Sequence, residues 1–450
     1  MIHEPLKFRV MTPGTMILLT LMAAGGIAVI YRYVMGLGAV TNLSDQYPWG
    51  LWVAVDIYAG VALAAGSFTV AALVFIFGDA KYQAFVRPAV LTGLLGYIFV
   101  AIALMIDLGQ PLHIWHPIIL WPEHSVMFEV AWCVMLYMTV LALEFMPAVL
   151  ERFEWERLQA VWRRLTPAFS AVALSFFVGV MAHSWTWAIA TFIFFGFLAV
   201  VLDRHIPTRP EVPVLLIIAG VVFSTMHQSS LGAVLLLMPD KLDGMWWTPA
   251  LPINFFLSAV AVGFAIVSFE VILSARVFKL ADESEVLAGM GRFLAFALWI
   301  YLVFRIVDMT LRGQLMGVLN SDKSHLFLVE MVLGVVVPAG ILTSSRLRRN
   351  ARILFVTSTL VVAGVVFNRI NVVWLAMVMP DGAAYFPSML EFLITISIIA
   401  ALVFFFALAV KTLPVFPSGS EEVAGAPDIH SKPDDRVVSA DEKKQGLERV

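Results

Sequence analysis

Apolar residues in this chain fall in long unbroken blocks separated by short polar stretches, and neither the two-residue period of a soluble strand nor the polar face of a soluble helix interrupts them. The blocks run over about 16–34, 51–77, 88–106, 126–150, 167–181, 185–202, 214–238, 253–275, 293–308, 326–342, 353–378 and 389–408. Most approach the roughly 20 residues that a tilted helix needs to cross a bilayer. The stretch 167–202 reads as one very long helix or as two short ones turning at Ala182–Trp187. Loop charge decides between them, because Lys and Arg favour the cytoplasmic side. With twelve helices, Lys81, Arg87, Arg152, Arg157, Arg163, Arg164, Arg204, Arg209, Arg276, Lys279, Arg292, Arg346, Arg348, Arg349 and Arg352 share one side with both termini. Only Arg32, Lys241, Arg312 and Lys323 fall opposite. The chain is therefore expected to be an all-α polytopic bundle of about twelve transmembrane helices with both ends cytoplasmic. Residues 1–413 form the membrane domain, with a hairpin at about 166–203, and 414–450 form a charged, disordered cytoplasmic tail.

Composition agrees, since 61% hydrophobic residues, 14% charged residues and a mean hydropathy of +0.90 exclude a soluble globular domain. Lys7 and Arg9 precede the first block, but Tyr31 and Arg32 at its end favour a retained helix over a cleaved signal. A net charge of −3 with scattered basic residues gives no nucleic-acid surface. The single cysteine, Cys133, excludes a disulfide framework and a self-made iron–sulfur cluster. No internal repeat stands out.

Given this topology, most ionisable residues inside the blocks lie in the periplasmic half: Asp56, Asp107, Glu129, Arg305, Asp308, Glu330, Arg369 and Glu391. A charge at mid-bilayer costs roughly 3 kcal/mol or more, so these groups should face the interior and pair. Arg305, Asp308 and Arg312 stand three and four apart on one helical face, which suits pairing. They either satisfy one another structurally or serve chemistry. Glu144 and Glu270 lie towards the cytoplasm, as steps of a sparse proton path or, more plainly, as interfacial carboxylates near Arg152 and Arg276. A bis-histidine haem would need facing histidines at one depth. His183 and His227 are poorly matched, so no haem is expected. His227 itself is either a hydrogen-bonded core residue packed with Ser229 and Ser230 or a proton donor to a ligand. His113, His116 and His124, in the loop from Asp107 to Glu129, have spacing that allows a metal, but a solvated loop is the plainer reading and no metal site is expected.

The runs YPWGLWVAVD from Tyr47, MIDLGQP from Met105, SVMFEVAWC from Ser125, LEFMPAVLERF from Leu143, STMHQSSLG from Ser224, GFAIVSFE from Gly263 and YFPSMLEFLITI from Tyr385 resemble the NrfD/PsrC-like family. The nearest likeness is to the HybB-type membrane subunit of uptake nickel–iron hydrogenases. The resemblance covers about 36–414 and implies a bacterial inner-membrane subunit without its own redox metal. In such complexes a periplasmic ferredoxin-like iron–sulfur protein, beside a nickel–iron, molybdopterin or multihaem catalytic subunit, passes electrons to menaquinone or ubiquinone near the outer helix ends. Carried over by motif, the quinone-site candidates are Asp56, Asp107, Glu129, His227 and Gln228. Reducing a quinone adds two electrons and two protons, so the head group needs hydrogen bonds at its carbonyls and an acid in contact with water. Glu129 or Asp107 would relay protons and His227 or Gln228 would hold a carbonyl, with Trp49, Trp52 and Phe128 flanking the ring. Glu144, Glu270, Arg305, Asp308, Glu330, Arg369 and Glu391 complete the proton-transfer candidates. The hairpin at 166–203 departs from the family pattern, since shorter members run directly from LE..P..ER to TMHQSS. Two other classes remain open: an ion or proton transporter, whose inverted-repeat form would show matching broken helices, and a membrane anchor without a quinone site.

Overall fold

The computed structural model describes residues 5–6, 8–121, 125–205, 212–280, 284–379 and 384–417. In a bilayer every backbone N–H and C=O must be satisfied within the segment, and among the described residues the long apolar blocks are all helical, with no strand. In chain order these are α1 Pro13–Met35, α2 Trp52–Ile76, α3 Val86–Asp107, α4 Val126–Arg152, α5 Glu156–Met181, α6 Trp185–His205, α7 Val214–Leu236, α8 Leu251–Phe278, α9 Ser284–Leu311, α10 Ser324–Thr343, α11 Ala351–Leu375 and α12 Met389–Thr412. Eleven of them are long and apolar enough to cross a membrane. The described apolar part of α6, Trp185–Val201, is shorter. The protein is a multi-pass protein of the bacterial inner membrane.

Local chemistry sets the helix starts. Ser125 caps α4 by accepting from Phe128 N, Asn350 caps α11, and Ser388 with Glu391 forms a capping box on α12. Helix α5 begins at Glu156, well before the apolar block at 167, because its first turns are amphipathic: Trp162 and Thr166 are buried while Arg163 and Arg164 are exposed. Helix α2 is irregular, with π-helical turns over Trp52–Ala59 and Ala72–Ile76, and further π turns interrupt α10 and α11.

The helices repeat one order of elements, which the sequence alone does not disclose. A first unit consists of α2, α3, α4 and α7, and a second of α8, α9, α10 and α11. In each, the second helix carries an Asp near its end, Asp107 or Asp308. A 3-10 turn and one α-helical turn follow, and the third helix presents a Glu twenty-two residues after that Asp, Glu129 or Glu330. The α5–α6 hairpin sits between the third and fourth helices of the first unit only. Helix α8 packs against α7, α9, α11 and the middle of α2, joining the units, and α1 packs along α12. The acids gather at one rim and the basic loops at the other. At the basic rim the packed chain continues beyond α12: Arg87 donates to Pro414 O at 2.9 Å, and Val415 and Phe416 are buried. The expected tail therefore starts later than 414, and its remainder lies outside the described residues.

Candidate functional site

Helix α4 enters the bundle at Ser125, and its first turns face the end of α5 across a cavity of about 240 Å³. Phe128, Glu129 and Trp132 line one side. Phe176, Phe177 and His183 line the other. Aromatic rings crowd its wall: Trp132 lies 4.8 Å from Phe176, and Trp121 lies 5.4 Å from Phe176, 5.6 Å from Trp132 and 6.1 Å from Phe128. Phe128 is buried and Glu129 half-buried, so this carboxylate stands between apolar rings and the opening.

The same face of α4 continues inward through Cys133 and Tyr137 to Glu144, at the three- and four-residue steps of a helix. The Tyr137 hydroxyl lies 2.7 Å from Ser67 Oγ, and its ring meets Tyr97 edge-on at 4.8 Å. Tyr97 in turn lies 5.6 Å from the His227 ring. His227 is buried, yet neither ring nitrogen has a hydrogen-bond partner among the described residues, so of its two readings the hydrogen-bonded core histidine is not the one seen; Ser230 Oγ donates to the His227 backbone carbonyl instead. The Gln228 amide donates to Val61 O at 2.8 Å and leaves its own Oε1 unmet. Each unmet buried group costs about 1–3 kcal/mol, which a hydrogen-bonding ligand would offset. The sequence reading missed Tyr97, Tyr137 and Ser67. A tyrosine deep in an apolar helix, which must place a hydroxyl somewhere, was the available signal.

The other quinone-site candidates collect at a second corner of the acidic rim. Asp56 accepts from Thr395 at 2.8 Å, and Glu391 accepts from the backbone of Asn42 and Ser388 and from the Tyr385 hydroxyl. Arg32, read from sequence only as a charge outlier, is buried here; it donates to Ile106 O at 2.7 Å and to Leu108 O, bracketing Asp107. Burial and the Glu391 carboxylate push the Tyr385 phenol far above its ordinary range. Trp49 packs by Tyr58 at 6.5 Å, and Trp52 donates to Glu391 O. The quinone candidates thus divide into the Glu129 cavity, the His227 core and the Asp107 corner.

In the second unit the acids are enclosed by donors. Arg312 grips Asp308 at 2.9 Å, Thr248 donates to Asp308 at 2.6 Å, and Arg305 stands 4.0 Å away, so the spacing-based pairing holds. Glu330 accepts from Trp246, Asn368 and Asn371, each at 2.8 Å. Arg369 donates to Asn368 Oδ1 and Ser258 and lies 3.8 Å over the Phe255 ring. Towards the basic rim, Glu270 accepts from Thr92 at 2.6 Å with its other oxygen unmet, and Glu144 lies against Gly220. The expected basic neighbours turn elsewhere: Arg152 donates to Thr412 O, and Arg276 covers Phe355. His113 and His116 stack at 4.4 Å at the surface loop; among the described residues no group of His, Cys, Asp and Glu could hold a metal, and His124 lies outside them.

A family model described as polysulphide reductase, NrfD, matches residues 39–239 and 241–381. The chain is 31% identical over 423 residues to a protein of Nitratidesulfovibrio vulgaris, covering 92% of this chain and 97% of that one. It is 28% identical over 422 residues to the probable Ni/Fe-hydrogenase 2 b-type cytochrome subunit of Escherichia coli, covering 92% and 95%. To the menaquinone reductase integral membrane subunit of N. vulgaris it is 26% identical over 428 residues, covering 88% and 90%.

Proposed function

Because this chain belongs to the polysulphide reductase NrfD family, we propose that it is the quinone-reactive membrane subunit of a respiratory oxidoreductase. A periplasmic ferredoxin-like iron–sulfur partner, fed by a catalytic subunit, delivers two electrons at the acidic rim. With two protons these convert quinone to quinol there. In this reading twelve helices cross the membrane, with both termini and the basic rim in the cytoplasm, the arrangement that the loop charge favours.

The observation that carries this reading is the cavity beside Glu129. Its lining is mostly apolar and aromatic, as a quinone ring requires, and it includes one carboxylate, that of Glu129. The face of α4 behind it leads through Tyr137 and Tyr97 to His227, whose unmet nitrogens suit proton exchange with a bound head group. Asp107, half-buried at the neighbouring corner, is the proton relay of this rim, with the buried Asp56 behind it. Glu144 and Glu270 extend the path towards the cytoplasm. The enclosed acids of the second unit serve structure.

One relative is named a b-type cytochrome subunit. His227 is buried in the core, while His183 is exposed at the cavity mouth. These residues do not fit a bis-histidine haem within the bundle.

The test is Glu129→Gln in the intact complex, with quinone turnover and dye-linked activity of the catalytic subunit measured side by side. Quinone turnover should fall by about 10²-fold, the scale of a lost acid–base group, while dye-linked activity stays unchanged. Unchanged quinone turnover in an assembled complex would remove Glu129 from the site. A reporter fused after Val450 should read cytoplasmic.

A further inference from the structure

The two four-helix units differ in one element. The second unit turns directly from Thr343 towards Ala351, whereas the first carries the α5–α6 hairpin at the corresponding place. The cavity beside Glu129 lies on the seam that this hairpin creates. One wall belongs to α4 and the other, with Phe176, Phe177 and His183, to the end of α5. Without the hairpin that face of α4 would lie open to lipid.

The wall is fixed in place. A Cβ on Gly179 would come within 2.5 Å of the Ala188 Cβ, so α5 and α6 cross there in close contact. The turn between them is tied back by Ala182 N to Val178 O at 2.9 Å and Ser184 N to Gly179 O at 3.0 Å. His183 holds a φ of 47°, a left-handed conformation that a non-glycine residue keeps only where its surroundings impose it. This turn sets His183 at the cavity mouth, opposite the carboxylate-bearing helix. Phe176 places its ring 4.8 Å from Trp132 and 5.4 Å from Trp121, completing an aromatic enclosure that α4 alone leaves open. At about 240 Å³ the cavity is smaller than the roughly 300–1,000 Å³ pockets that enclose a whole drug-sized ligand. It suits a flat ring whose chain continues outside. Outward, α6 exposes Trp185, Ile189, Phe192 and Ile193, an apolar surface along which a prenyl chain can lie.

We infer that the α5–α6 hairpin is the outer wall of the quinone pocket: Phe176 packs on the head-group ring, and His183 hydrogen-bonds the carbonyl oxygen remote from Glu129. This inference rests on the function proposed above. Phe176 and His183 are thus specificity-determining residues supplied by an element that the second unit lacks.

The test uses the intact complex with Phe176→Leu, Phe176→Ala, His183→Leu and His183→Gln, alongside Glu129→Gln. The readouts are KM and kcat for a short-chain naphthoquinone and a short-chain benzoquinone, fluorescence quenching of a hydroxyquinoline N-oxide inhibitor on binding, and dye-linked activity. Phe176→Leu, which keeps most of the packed volume but removes the ring face, should raise the naphthoquinone KM about tenfold, with kcat nearly unchanged and a smaller effect on the one-ring quinone. Phe176→Ala should do the same or more. His183→Leu should weaken inhibitor quenching severalfold, and His183→Gln, which keeps a donor, should restore it. If Glu129→Gln impairs quinone turnover while Phe176→Leu and His183→Leu leave KM and quenching unchanged, the hairpin is not the wall. If Glu129→Gln also leaves turnover unchanged, the Glu129 cavity is not the quinone site and the site reading proposed above fails instead; an assembled complex with dye-linked activity but no quinone turnover in the parent protein would overturn the proposed function itself.

Discussion

Replacing Gly364 by alanine should destabilise the second unit, and the structure sets the scale. Helices α10 and α11 touch backbone to backbone at Gly334 and Gly364: a Cβ on residue 364 would stand 2.4 Å from the Gly334 Cα. Carbon atoms in contact rest about 3.5 Å apart, so the helices must separate by about 1 Å. Glu330 lies one turn before Gly334 and Asn368 one turn after Gly364, so the 2.8 Å hydrogen bond from Asn368 Nδ2 to Glu330 Oε1 crosses the same seam. The separation stretches it to about 3.8 Å, beyond hydrogen-bonding range. A lost bond to a carboxylate costs about 1.5–3 kcal/mol and overpacking about 1–3 kcal/mol, for a total of about 2.5–6 kcal/mol. Thermal or dodecyl-sulfate unfolding of the purified protein measures this. Gly340→Ala, on the partner helix α10 with open space at its Cβ, is the control and should be neutral or stabilising by up to about 1 kcal/mol. Equal effects of the two substitutions would refute the reasoning.

Arg312→Ala should destabilise by about 2–3 kcal/mol, reduced from the buried-pair value because Arg312 retains some exposure; Arg312→Lys should recover less than half, since one ammonium cannot reproduce the grip on Asp308 and the bonds to Gly244 O and Trp247 O. Burial pushes the Tyr47 phenol from 10.0 up to about 12. The folded value lies above the unfolded one, so its contribution is whole below pH 10.0 and is lost as pH rises towards about 12. Unfolding scans across that window should show the loss in the parent protein and a shallower slope in Tyr47→Phe. Arg32→Leu should loosen the end of α3 around Asp107 and speed amide exchange at Leu108.

What the sequence disclosed follows the range of the forces involved. Lipid demands long apolar runs, so each helix was legible, and the Arg305–Asp308–Arg312 pairing follows from positions on one helix. The start of α5 was hidden because its first turns are amphipathic and fall outside any apolar block. Tyr137 meeting Ser67, or Arg32 reaching Ile106, joins residues some seventy positions apart, and no local pattern encodes that. The paired units were hidden for a related reason. Apolar helices resemble one another in composition, and the equal Asp-to-Glu spacing acquires meaning only beside the shared order of helix, 3-10 turn and short helix.

That correspondence also accounts for where chemistry can occur. Glu129 and Glu330 hold equivalent places, but their surroundings have diverged. Trp246, Asn368 and Asn371 supply Glu330 with three donors at 2.8 Å, and Arg312 and Thr248 hold Asp308. A carboxylate already held by three or more donors has little capacity left for a ligand. Glu129 instead borders a cavity, with rings on either side and the Tyr137–Tyr97–His227 series behind it. A group that must accept and release protons during turnover needs an open coordination sphere and an exit for the proton. Of the two corresponding glutamates, Glu129 is the one that borders a cavity, and on the function proposed above, adding a donor beside it, for instance with Val126→Asn at the cavity lining, should lower quinone turnover while leaving dye-linked activity intact.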